Sequence, residues 1–599
     1  MFDFVYQMEA GKERLKEEHY YIKDVTIMKI ERIILAKGAP EQASFAAGEL
    51  RYYLSLMTGK PYQVEEEVAD QAVILEQTDE YGVDGFSLIP EGDRLYIRGG
   101  NRGILYGSYE FLEMLGCRFF TPECEKVPTV PEIDLYIKEE ITQKPIFEYR
   151  EHNYKDIAQH PRFAVKSRIN GRHSPIPEKL GGHMSYVWFV HSFDKMIPPD
   201  VYGKTNPEFF AMRADGTRPA EYDTCQLCLT NPDLVEEAIK NVRKVLQENP
   251  EHKIISLSQN DNYENCQCEK CRASDKEEGS PAGTLLKFIN AIAERLEPEF
   301  PDVLFDTLAY VYGRPAPKVT KPRHNVCVRL CSIEECFAHP FGICDDESRK
   351  VERPDGTSGT FVDDLKDWAK MCNRMHIWDY STSFGHYPSP HPNWYCLQPN
   401  IQLFVKNGVK GVYEQANRSR GGGVDMNELR AYVISKLLWD PYTDVQKHID
   451  EFTDHYYGAG GVYVREYIKT LCEKAEKDNI HVGFNDDPTS ELFAEEMLDI
   501  YDALLKKAEE AVYGDALKMR RVQKIQLSTR YVRLKRKGML QHIHDAAEIN
   551  KFYEDWTSYG LTRIDEWVEK QGTLRALLED RWRGIEYLSH FSAEGLEIL

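Results

Sequence analysis

Residues 254–271 read IISLSQNDNYENCQCEKC, and the interpretation of the whole chain starts from this stretch. It passes from a short apolar run, through polar residues, into three closely spaced cysteines. The apolar start is typical of a parallel strand that is covered on both faces. Asn260 and Asp261 then place an amide and a carboxylate where the strand ends. In α/β barrels the carboxyl ends of the strands carry the chemistry, so the stretch predicts a functional site there.

A strand-then-helix pattern continues on both sides of this stretch, over residues 141–445. It predicts an α/β fold with a TIM-like (β/α)8 barrel, which typically needs about 250 residues or more. The clearest helix, Thr284–Glu297, has an apolar face of evenly spaced leucines and isoleucines. Only seven good strand candidates fill the eight places of such a barrel. They are Phe147–Arg150, Tyr186–His191, Ile254–Ser258, Val303–Tyr310, Val326–Leu330, His376–Tyr380 and Gly411–Tyr413.

The barrel is predicted to have a domain on either side. Residues 1–140 alternate strand and helix signals and predict a small α/β domain. Residues 446–599 are rich in charge and in helical periodicity, and predict a helical domain. Its core stripe over 490–512 is predicted to consist of Phe493, Met497, Ile500, Leu504 and Ala508, and a homodimer through this domain is the alternative use of such a face.

Composition excludes several classes of partner. The chain has 599 residues, is 42% hydrophobic and carries a formal charge of -23 with a pI near 5.4. Binding to nucleic acid or to an anionic membrane needs clustered Lys and Arg, so neither is expected. The first residues contain charged side chains from Asp3 onward and no apolar core of a signal peptide, which predicts a cytoplasmic protein.

The cysteines suggest a metal. Cys225 and Cys228 form one close pair, and Cys266, Cys268 and Cys271 form a close triplet. Zinc binds four thiolates in a tetrahedron, so these five residues are candidates for a structural zinc site. Free thiols are the alternative interpretation. No cofactor is expected for catalysis.

Three acids lie where predicted strands end: Asp261 in SQNDN, Asp379 in HIWDY and Glu414 in GVYEQAN. Cleavage of a glycosidic bond commonly uses two carboxyl groups on opposite sides of that bond, and strands of a barrel can supply both. Taken singly, each acid could equally be an ordinary solvated residue. Together with the aromatic residues near them, they predict a glycoside hydrolase site.

The aromatic and polar residues around these acids suit a sugar, because rings stack on the apolar faces of pyranoses while polar groups bind hydroxyls. Core packing is the alternative role of such rings. Arg329 lies within the apolar run VCVRLC and needs a partner if it points inward. The residues predicted to bind substrate are Asn260, Trp378, Tyr380, Tyr310, Arg329, His191, Trp394 and Asn417.

Several motifs resemble known carbohydrate enzymes. The segments ILAKGAPEQASFAAGELRYYLSLMTGK (34–60) and YIRGGNRGILYGSYEFLEMLGCRFFTP (96–122) resemble the N-terminal α/β domain that precedes the barrel in α-glucuronidases. Four further motifs resemble the domain of unknown function 4838 group, now placed in glycoside hydrolase family 163. They are NPEFFAMRADGTR (206–218), QLCLTNPDLVEEA (226–238), ISLSQNDNYENCQCEKC (255–271) and VRLCSIEECFAHPF (328–341).

The resemblance implies an enzyme acting on β-linked N-acetylglucosamine, with endo cleavage in the core of N-glycans. It implies a substrate-assisted mechanism, in which one carboxylate orients the acetamido group of the sugar and another acts as acid and then base. Glu414 is predicted as the acid/base and Asp379 as the orienting group, with Asp261 as the rival for either role.

Two alternatives stay open at this point. The first is an inverting α-glucuronidase-like enzyme, in which Arg329, Arg418 and Arg420 would bind the uronate. The second is a carbohydrate-binding protein without catalytic activity, in which the acids only accept hydrogen bonds from hydroxyls.

Overall fold

A computed structural model describes residues 27–353, 356–417, 423–543 and 545–567. These residues fall into two compact units. The first comprises the described residues up to Cys117 together with Val127–Lys144, and the second comprises Arg118–Lys126 and the described residues from Pro145 onward.

The described residues contain eighteen strands, most of them short. In chain order they are β1 (Ile27–Ile30), β2 (Arg32–Leu35), β3 (Val64–Glu65), β4 (Ala72–Gln77), β5 (Phe86–Glu91), β6 (Arg94–Gly99), β7 (Arg118–Thr121), β8 (Cys124–Lys126), β9 (Ile133–Tyr136), β10 (Ile141–Gln143), β11 (Tyr149–His152), β12 (Ile254–Ser256), β13 (Leu304–Ala309), β14 (Val326–Cys331), β15 (Val351–Glu352), β16 (Ser358–Gly359), β17 (Met375–Tyr380) and β18 (Gly411–Gln415).

The first unit is the predicted small α/β domain. Its six-stranded sheet has the order β10-β5-β6-β4-β2-β3, parallel from β6 to β3 and antiparallel from β10 to β6. Helices Glu41–Thr58 and Gly103–Met114 belong to this unit. The strand β1 pairs with β9 in a separate two-stranded sheet.

The second unit is built around a parallel sheet of the order β11-β18-β17-β14-β13-β12. A seventh segment joins its far edge, where Tyr186 forms a parallel bridge to Ile254. The sheet is curled, because the ring of Tyr149, on one edge strand, lies 6.0 Å from the ring of Tyr186, beside the other edge. The seven strand candidates of the sequence therefore occupy one curled sheet.

The prediction of a full (β/α)8 barrel is reproduced only in part. Six strands and one bridged segment form the sheet, and no eighth parallel strand is found among the described residues. The first strand, β11, pairs directly with the last, β18, which leaves no gap for another strand between them. The sequence offers seven strand candidates, and the described sheet has seven segments.

Helices cover the outside of this sheet and form the rest of the second unit. Pro281–Leu296 shows why they form where they do: Ser280 caps its N-terminus, Pro281 occupies the first turn, and Leu285, Ile289 and Leu296 are buried as predicted. The helices up to residue 439 are Lys155–Ala158, Pro161–Lys166, Phe193–Met196, Pro199–Tyr202, Pro232–Glu248, Glu269–Glu278, Pro281–Leu296, Phe361–Ala369, Leu397–Lys406 and Asn427–Trp439.

The described residues after 439 form mainly helices, and they belong to the same compact unit as the parallel sheet. The predicted stripe is shifted by one residue along part of its length. Leu498, Tyr501 and Leu505 are buried, whereas Ile500 is 45% exposed. The helices are Val445–Tyr456, Gly461–Lys477, Glu495–Ala511, Ala516–Gln541 and Ala546–Ser558. Within the described part of the chain, no helix combines the length and apolarity needed to cross a bilayer.

Candidate functional site

The two faces of the parallel sheet divide the predicted site residues into two groups. Tyr413 belongs to a buried cluster with Tyr149, Tyr186 and Ile254, and Trp378 packs against that cluster. Tyr149 and Tyr186 come from opposite edges of the curled sheet, so this cluster marks its interior. Successive residues of a strand point to opposite faces. The neighbours of Trp378 and Tyr413 in sequence therefore point outward, toward the helices.

Asp379 and Glu414 are those neighbours, and they lie side by side on the helix-covered face. They are register partners between β17 and β18, and Glu414 is in turn the register partner of His152 on β11. His152 Nε2 lies 2.9 Å from the Ser435 hydroxyl, on helix Asn427–Trp439. Asp379 is 4% exposed and Glu414 is 2% exposed. The structure therefore brings the predicted catalytic pair together, but on the face away from the interior.

Burial sets the protonation of this pair. Burial raises the pKa of Asp379 to about 6, although the Ser332 hydroxyl and the Tyr380 N–H both donate to its carboxylate and lower that pKa. Burial, and then the negative charge of Asp379, raise the pKa of Glu414 well above its usual range. Two adjacent buried carboxyl groups do not both ionise readily, so Glu414 is the member that retains a proton.

A second group of predicted residues surrounds the interior end of the sheet, where the strands run out. The Tyr310 hydroxyl donates to Asp261 Oδ1 at 3.0 Å, and the rings of Tyr310 and His191 lie 6.3 Å apart. Trp378 stacks near Tyr380, with ring centroids 6.5 Å apart. Asp261 is exposed. Asp261, Tyr310, His191, Trp378 and Tyr380 thus lie at or beyond the carboxyl ends of the strands, and we call this region of the curled sheet the cleft.

Glu334, which the sequence prediction passed over, also faces the cleft. Burial raises the pKa of the Tyr380 hydroxyl and of Tyr263, and the negative charges of Glu334 and Asp261 raise both pKa values further. The two carboxylates therefore lie close to the same tyrosines. The sequence does hold a signal for Glu334, because SIEEC follows strand β14 in the same way that SQNDN follows β12.

Arg314 fixes the position of Glu334. Its guanidinium is 1% exposed, donates to Glu334 Oε2 at 2.9 Å, and pairs with the buried Asp364 at 2.8 Å. A third contact, at 3.0 Å, goes to the carbonyl of Gly359. A planar guanidinium with three fixed acceptors has little freedom, so the Glu334 side chain is held in place before any ligand binds.

The backbone of the cleft is also unusual. His191 and Val311 both have positive φ angles, 51° and 53°, which non-glycine residues rarely adopt. His191 Nδ1 lies 2.9 Å from the carbonyl oxygen of Gln259, next to the end of β12. Strained residues of this kind cluster at functional sites.

A buried pair lies deeper in the interior and was also missed by the sequence analysis. Glu151 accepts from His173 Nδ1 at 3.0 Å, and the His173 ring stacks on Tyr413 at 5.2 Å. Burial alone would raise the pKa of Glu151, but the charge and hydrogen bonds of His173 and the Tyr149 hydroxyl lower it to about 2. The hydrogen bonds of this pair fix the ring of His173 against Tyr413 in the interior.

The remaining predicted binding residues lie elsewhere. Arg329 is fully buried in the interior, where it pairs with Asp306 at 3.3 Å and donates to the Tyr186 hydroxyl. The Asn260 side chain donates to the carbonyl of Cys225 at 2.8 Å rather than facing the cleft. Trp394 is 4% exposed and Asn417 is 1% exposed, so neither offers a surface to a sugar in this conformation. Arg418 and Arg420 lie outside the described residues.

Four of the five predicted metal ligands converge. The sulfur atoms of Cys228, Cys266, Cys268 and Cys271 all lie within 4.8 Å of one another, with Cys228 3.7 Å from Cys268 and 3.9 Å from Cys271. Four thiolates at about 2.3 Å from a tetrahedral zinc are about 3.8 Å apart, so the group fits that ion. Cys225 is not part of the group, since its sulfur accepts from the side chain of Asn260 at 3.7 Å.

Comparison with solved structures shows that the fold is similar to that of a carbohydrate enzyme. A family GH115 4-O-methyl-α-glucuronidase, BtGH115A, with specificity for decorated arabinogalactans, has a TM-score of 0.57 at 12% identity, over 96% of this chain and 81% of that chain. A GH138 enzyme that targets pectin rhamnogalacturonan II has a TM-score of 0.42 at 10% identity, over 92% and 74% of the two chains. A mutant Streptomyces plicatus β-hexosaminidase in complex with product (GlcNAc) has a TM-score of 0.40 at 11% identity, over 72% and 91%.

Sequence comparison is more specific about the family. No curated protein matches the chain. A family model described as "Domain of unknown function (DUF4838)" matches residues 119–469, which is more than half of the chain and includes the whole parallel sheet. The protein therefore belongs to the DUF4838 family.

Proposed function

We propose that the protein is a glycoside hydrolase and that Asp261 and Glu334 are the carboxylates that act on the glycosidic bond. The observation that carries this proposal is their position in the fold: Asp261 follows β12 and accepts from the Tyr310 hydroxyl at 3.0 Å, and Glu334 follows β14 and is held by Arg314 at 2.9 Å. Hydrolysis of a glycoside needs two carboxyl groups that reach the sugar from different directions. Separate strand ends, after β12 and β14, provide those directions.

Asp379 and Glu414 have a different part in this proposal. They lie on the face of the sheet opposite to Trp378 and Tyr413 and are almost fully buried, so we infer that a sugar in the cleft does not reach them. Burial raises the pKa of both, and the negative charge of Asp379 raises that of Glu414 further. We assign them to the packing between sheet and helices. The acid/base and orienting roles are assigned instead to Asp261 and Glu334, which we call the cleft pair.

The proposed substrate class is β-linked N-acetylglucosamine in a glycan. The aromatic surface of the cleft, formed by Trp378, Tyr310 and the 79% exposed Tyr263, suits the apolar face of a pyranose. In a substrate-assisted reaction one cleft carboxylate would orient the acetamido group while the other exchanges a proton with the leaving oxygen. Membership of glycoside hydrolase family 163 and the α-glucuronidase type of the N-terminal domain belong to this proposal as well.

One observation favours a second candidate function, the hydrolysis of an α-glucuronide. The exposed Arg172 lies with its guanidinium 4.5 Å from the ring centre of Phe189, whose ring is part of the interior. A uronate needs such a cation. Arg329, which the sequence offered for this purpose, is already paired with Asp306 in the interior.

The deciding experiment compares hydrolysis of an aryl β-N-acetylglucosaminide, a biantennary N-glycan and an aryl α-glucuronide by the parent chain. Cleavage of either of the first two supports the main proposal, and release of glucuronic acid alone selects the second candidate. Glycan binding without turnover of any substrate would leave only a carbohydrate-binding role. The same panel with Asp261→Asn and Glu334→Gln assigns the two roles, because an activated aryl leaving group lessens the need for a proton donor.

We also propose that Cys228, Cys266, Cys268 and Cys271 bind a structural zinc ion. The group holds the loop after β12, which carries Asp261 and Tyr263. A closed site of four thiolates has no position for a substrate or water, so it stabilises the loop and takes no part in the reaction.

A further inference from the structure

A second cluster of metal-ligand residues follows β14, as the four-cysteine group follows β12. Cys336, His339, Cys344 and His481 each present a ligand atom, and these four atoms all lie within 4.8 Å of one another. The first three belong to the loop that follows β14. His481 comes 137 residues after Cys344 and follows helix Gly461–Lys477. Two sequence segments far apart in the chain thus place two thiols and two imidazoles at one point.

The distances within this cluster match a tetrahedral ion. Cys336 Sγ lies 3.5 Å from His339 Nδ1, and Cys344 Sγ lies 3.7 Å from His481 Nδ1. Zinc holds sulfur at about 2.3 Å and histidine nitrogen at about 2.0–2.1 Å, so a sulfur and a nitrogen on one tetrahedron are about 3.6 Å apart. The two cysteines are free thiols in the structure.

The surroundings also suit a bound cation. His481 Nε2 lies 3.6 Å from Asp345 Oδ1, on the side of the ring away from Cys344. Metal-bound histidines commonly direct their second nitrogen to a carboxylate, which orients the ring. Cys336 is fully buried and His339 is 8% exposed, so water has little access to this side of the cluster.

We propose that Cys336, His339, Cys344 and His481 bind a zinc ion through two sulfur and two nitrogen atoms, and we call these four residues the mixed site. Two thiolates and two neutral imidazoles balance the charge of a divalent ion, and a tetrahedral set of two sulfurs and two nitrogens selects zinc among the common metals. All four positions are taken by protein, so the site is structural. The proposal does not depend on the substrate of the enzyme.

The ion would tie the cleft to the helical part of the second unit. Glu334 lies two residues before the ligand Cys336, and the N–H of Phe337 donates to the carbonyl of Val482 at 2.8 Å. Phe484 packs edge-on against Tyr380 with ring centroids 5.1 Å apart. Each cleft carboxylate would then precede its own metal site, Asp261 the four-cysteine site and Glu334 the mixed site.

The test measures metal bound to the full-length protein, purified with zinc present, by elemental analysis and native mass spectrometry. We expect two zinc ions per chain in the parent, and one in His481→Ala and in Cys344→Ser. Cys268→Ser should also retain one ion, held by the mixed site. His324→Ala replaces an exposed histidine outside both clusters and serves as the matched control, with two ions expected. A zinc content in His481→Ala and Cys344→Ser equal to that of the parent would overturn the proposal.

X-ray absorption at the zinc edge tests the parent without relying on any variant to fold. The four-cysteine site and the mixed site together average to about three sulfur ligands and one nitrogen ligand per zinc, whereas the four-cysteine site alone gives four sulfur ligands. The averaged value of three sulfurs and one nitrogen supports the proposal. Four sulfur ligands per zinc, or a disulfide between Cys336 and Cys344 in non-reducing peptide mapping, contradicts it.

Discussion

Two pairs of acids at the carboxyl end of one sheet differ in almost every physical respect. Asp379 and Glu414 face the covering helices and are nearly inaccessible, and the charge of Asp379 disfavours ionisation of Glu414. Asp261 and Glu334 face the cleft. Asp261 accepts a hydrogen bond from Tyr310, and Glu334 forms an ion pair with Arg314. The difference follows from their places in the chain, because Asp379 and Glu414 lie within β17 and β18, whereas Asp261 and Glu334 lie in the loops after β12 and β14. A carboxylate at a strand end is therefore informative only once its place in the strand or in the loop is known.

The largest expected effect is a loss of catalytic activity, and it distinguishes Asp261 and Glu334 from Asp379 and Glu414. Glu334→Gln keeps the size of the side chain and removes its charge, so we expect kcat to fall about 10²–10⁴-fold, the usual range for a general acid or base. Asp261→Asn should have a comparable effect. The measurement is steady-state hydrolysis of the substrate that the parent cleaves. Glu347→Gln, at an exposed carboxylate, is the control and should retain parental rates.

The second effect concerns the support of the cleft pair. Arg314→Met would leave the buried Asp364 with Arg353 as its remaining arginine partner, at a cost of about 1–3 kcal/mol in the free energy of unfolding. Chemical denaturation measures it. Arg323→Met removes a more exposed arginine and should cost less than about 1 kcal/mol. Equal losses in the two variants would show that the Arg314 network does not hold the cleft rigid.

The third expected effect is a pH dependence of the folding stability that arises from Asp379 and Glu414, which we call the helix-side pair. The pKa of Asp379 rises from an ordinary value of 3.8 to about 6 on folding. Its folded state therefore favours the proton, and the stability that this provides is lost as the pH rises through that interval. Asp379→Asn removes the titrating carboxyl group and therefore removes this pH-dependent loss of stability. The unfolding free energy of the variant relative to the parent should thus increase by about 2–3 kcal/mol between pH 4 and pH 7.

This variant also tests the assignment of the two pairs. Asp302→Asn, at an exposed aspartate, is the control and should show no such pH dependence. We expect Asp379→Asn and Glu414→Gln to remain within about tenfold of the parental kcat, since activity here depends only on correct packing. A loss of several powers of ten in a variant of parental stability would show that the helix-side pair acts on the substrate after all.

The smallest effect concerns a single hydrogen bond. Tyr310→Phe removes the donor to Asp261 but retains the ring, so we expect kcat/KM to fall about five- to tenfold, equivalent to roughly 1 kcal/mol. Tyr222→Phe removes an equivalent bond to the exposed Asp200 and is the matched control. If both variants hydrolyse substrate at the parental rate, Tyr310 does not position Asp261.

Much of the fold follows from local patterns in the sequence. Apolar runs located all seven segments of the curled sheet, and Ser280 with Pro281 explains where a covering helix begins. No eighth parallel strand is found among the described residues, and β11 pairs with β18 at one edge of the sheet. That pairing joins segments that are distant in the chain, and local periodicity carries no information about it.

The site could be predicted only to the level of strand ends. The acids and aromatic residues lie where the sequence placed them along the strands, but the face on which each lies depends on register and curl. The mixed site shows the same limit, because His481 lies far from Cys344 in sequence and no spacing motif joins them. A homodimer through residues 446–599 and a cytoplasmic location stay predictions.

The pairing of β11 with β18 also has a consequence for biosynthesis. The first strand of the sheet leaves the ribosome about 260 residues before its hydrogen-bonding partner, which at 5–20 residues per second is a delay of roughly 13–50 s. During that time the backbone groups of β11 that will bond to β18 lack their partner, and an unpaired strand edge invites association with other chains. Co-translational folding of the second unit therefore finishes late, and the nascent chain is exposed to misassociation until Gly411–Gln415 arrives.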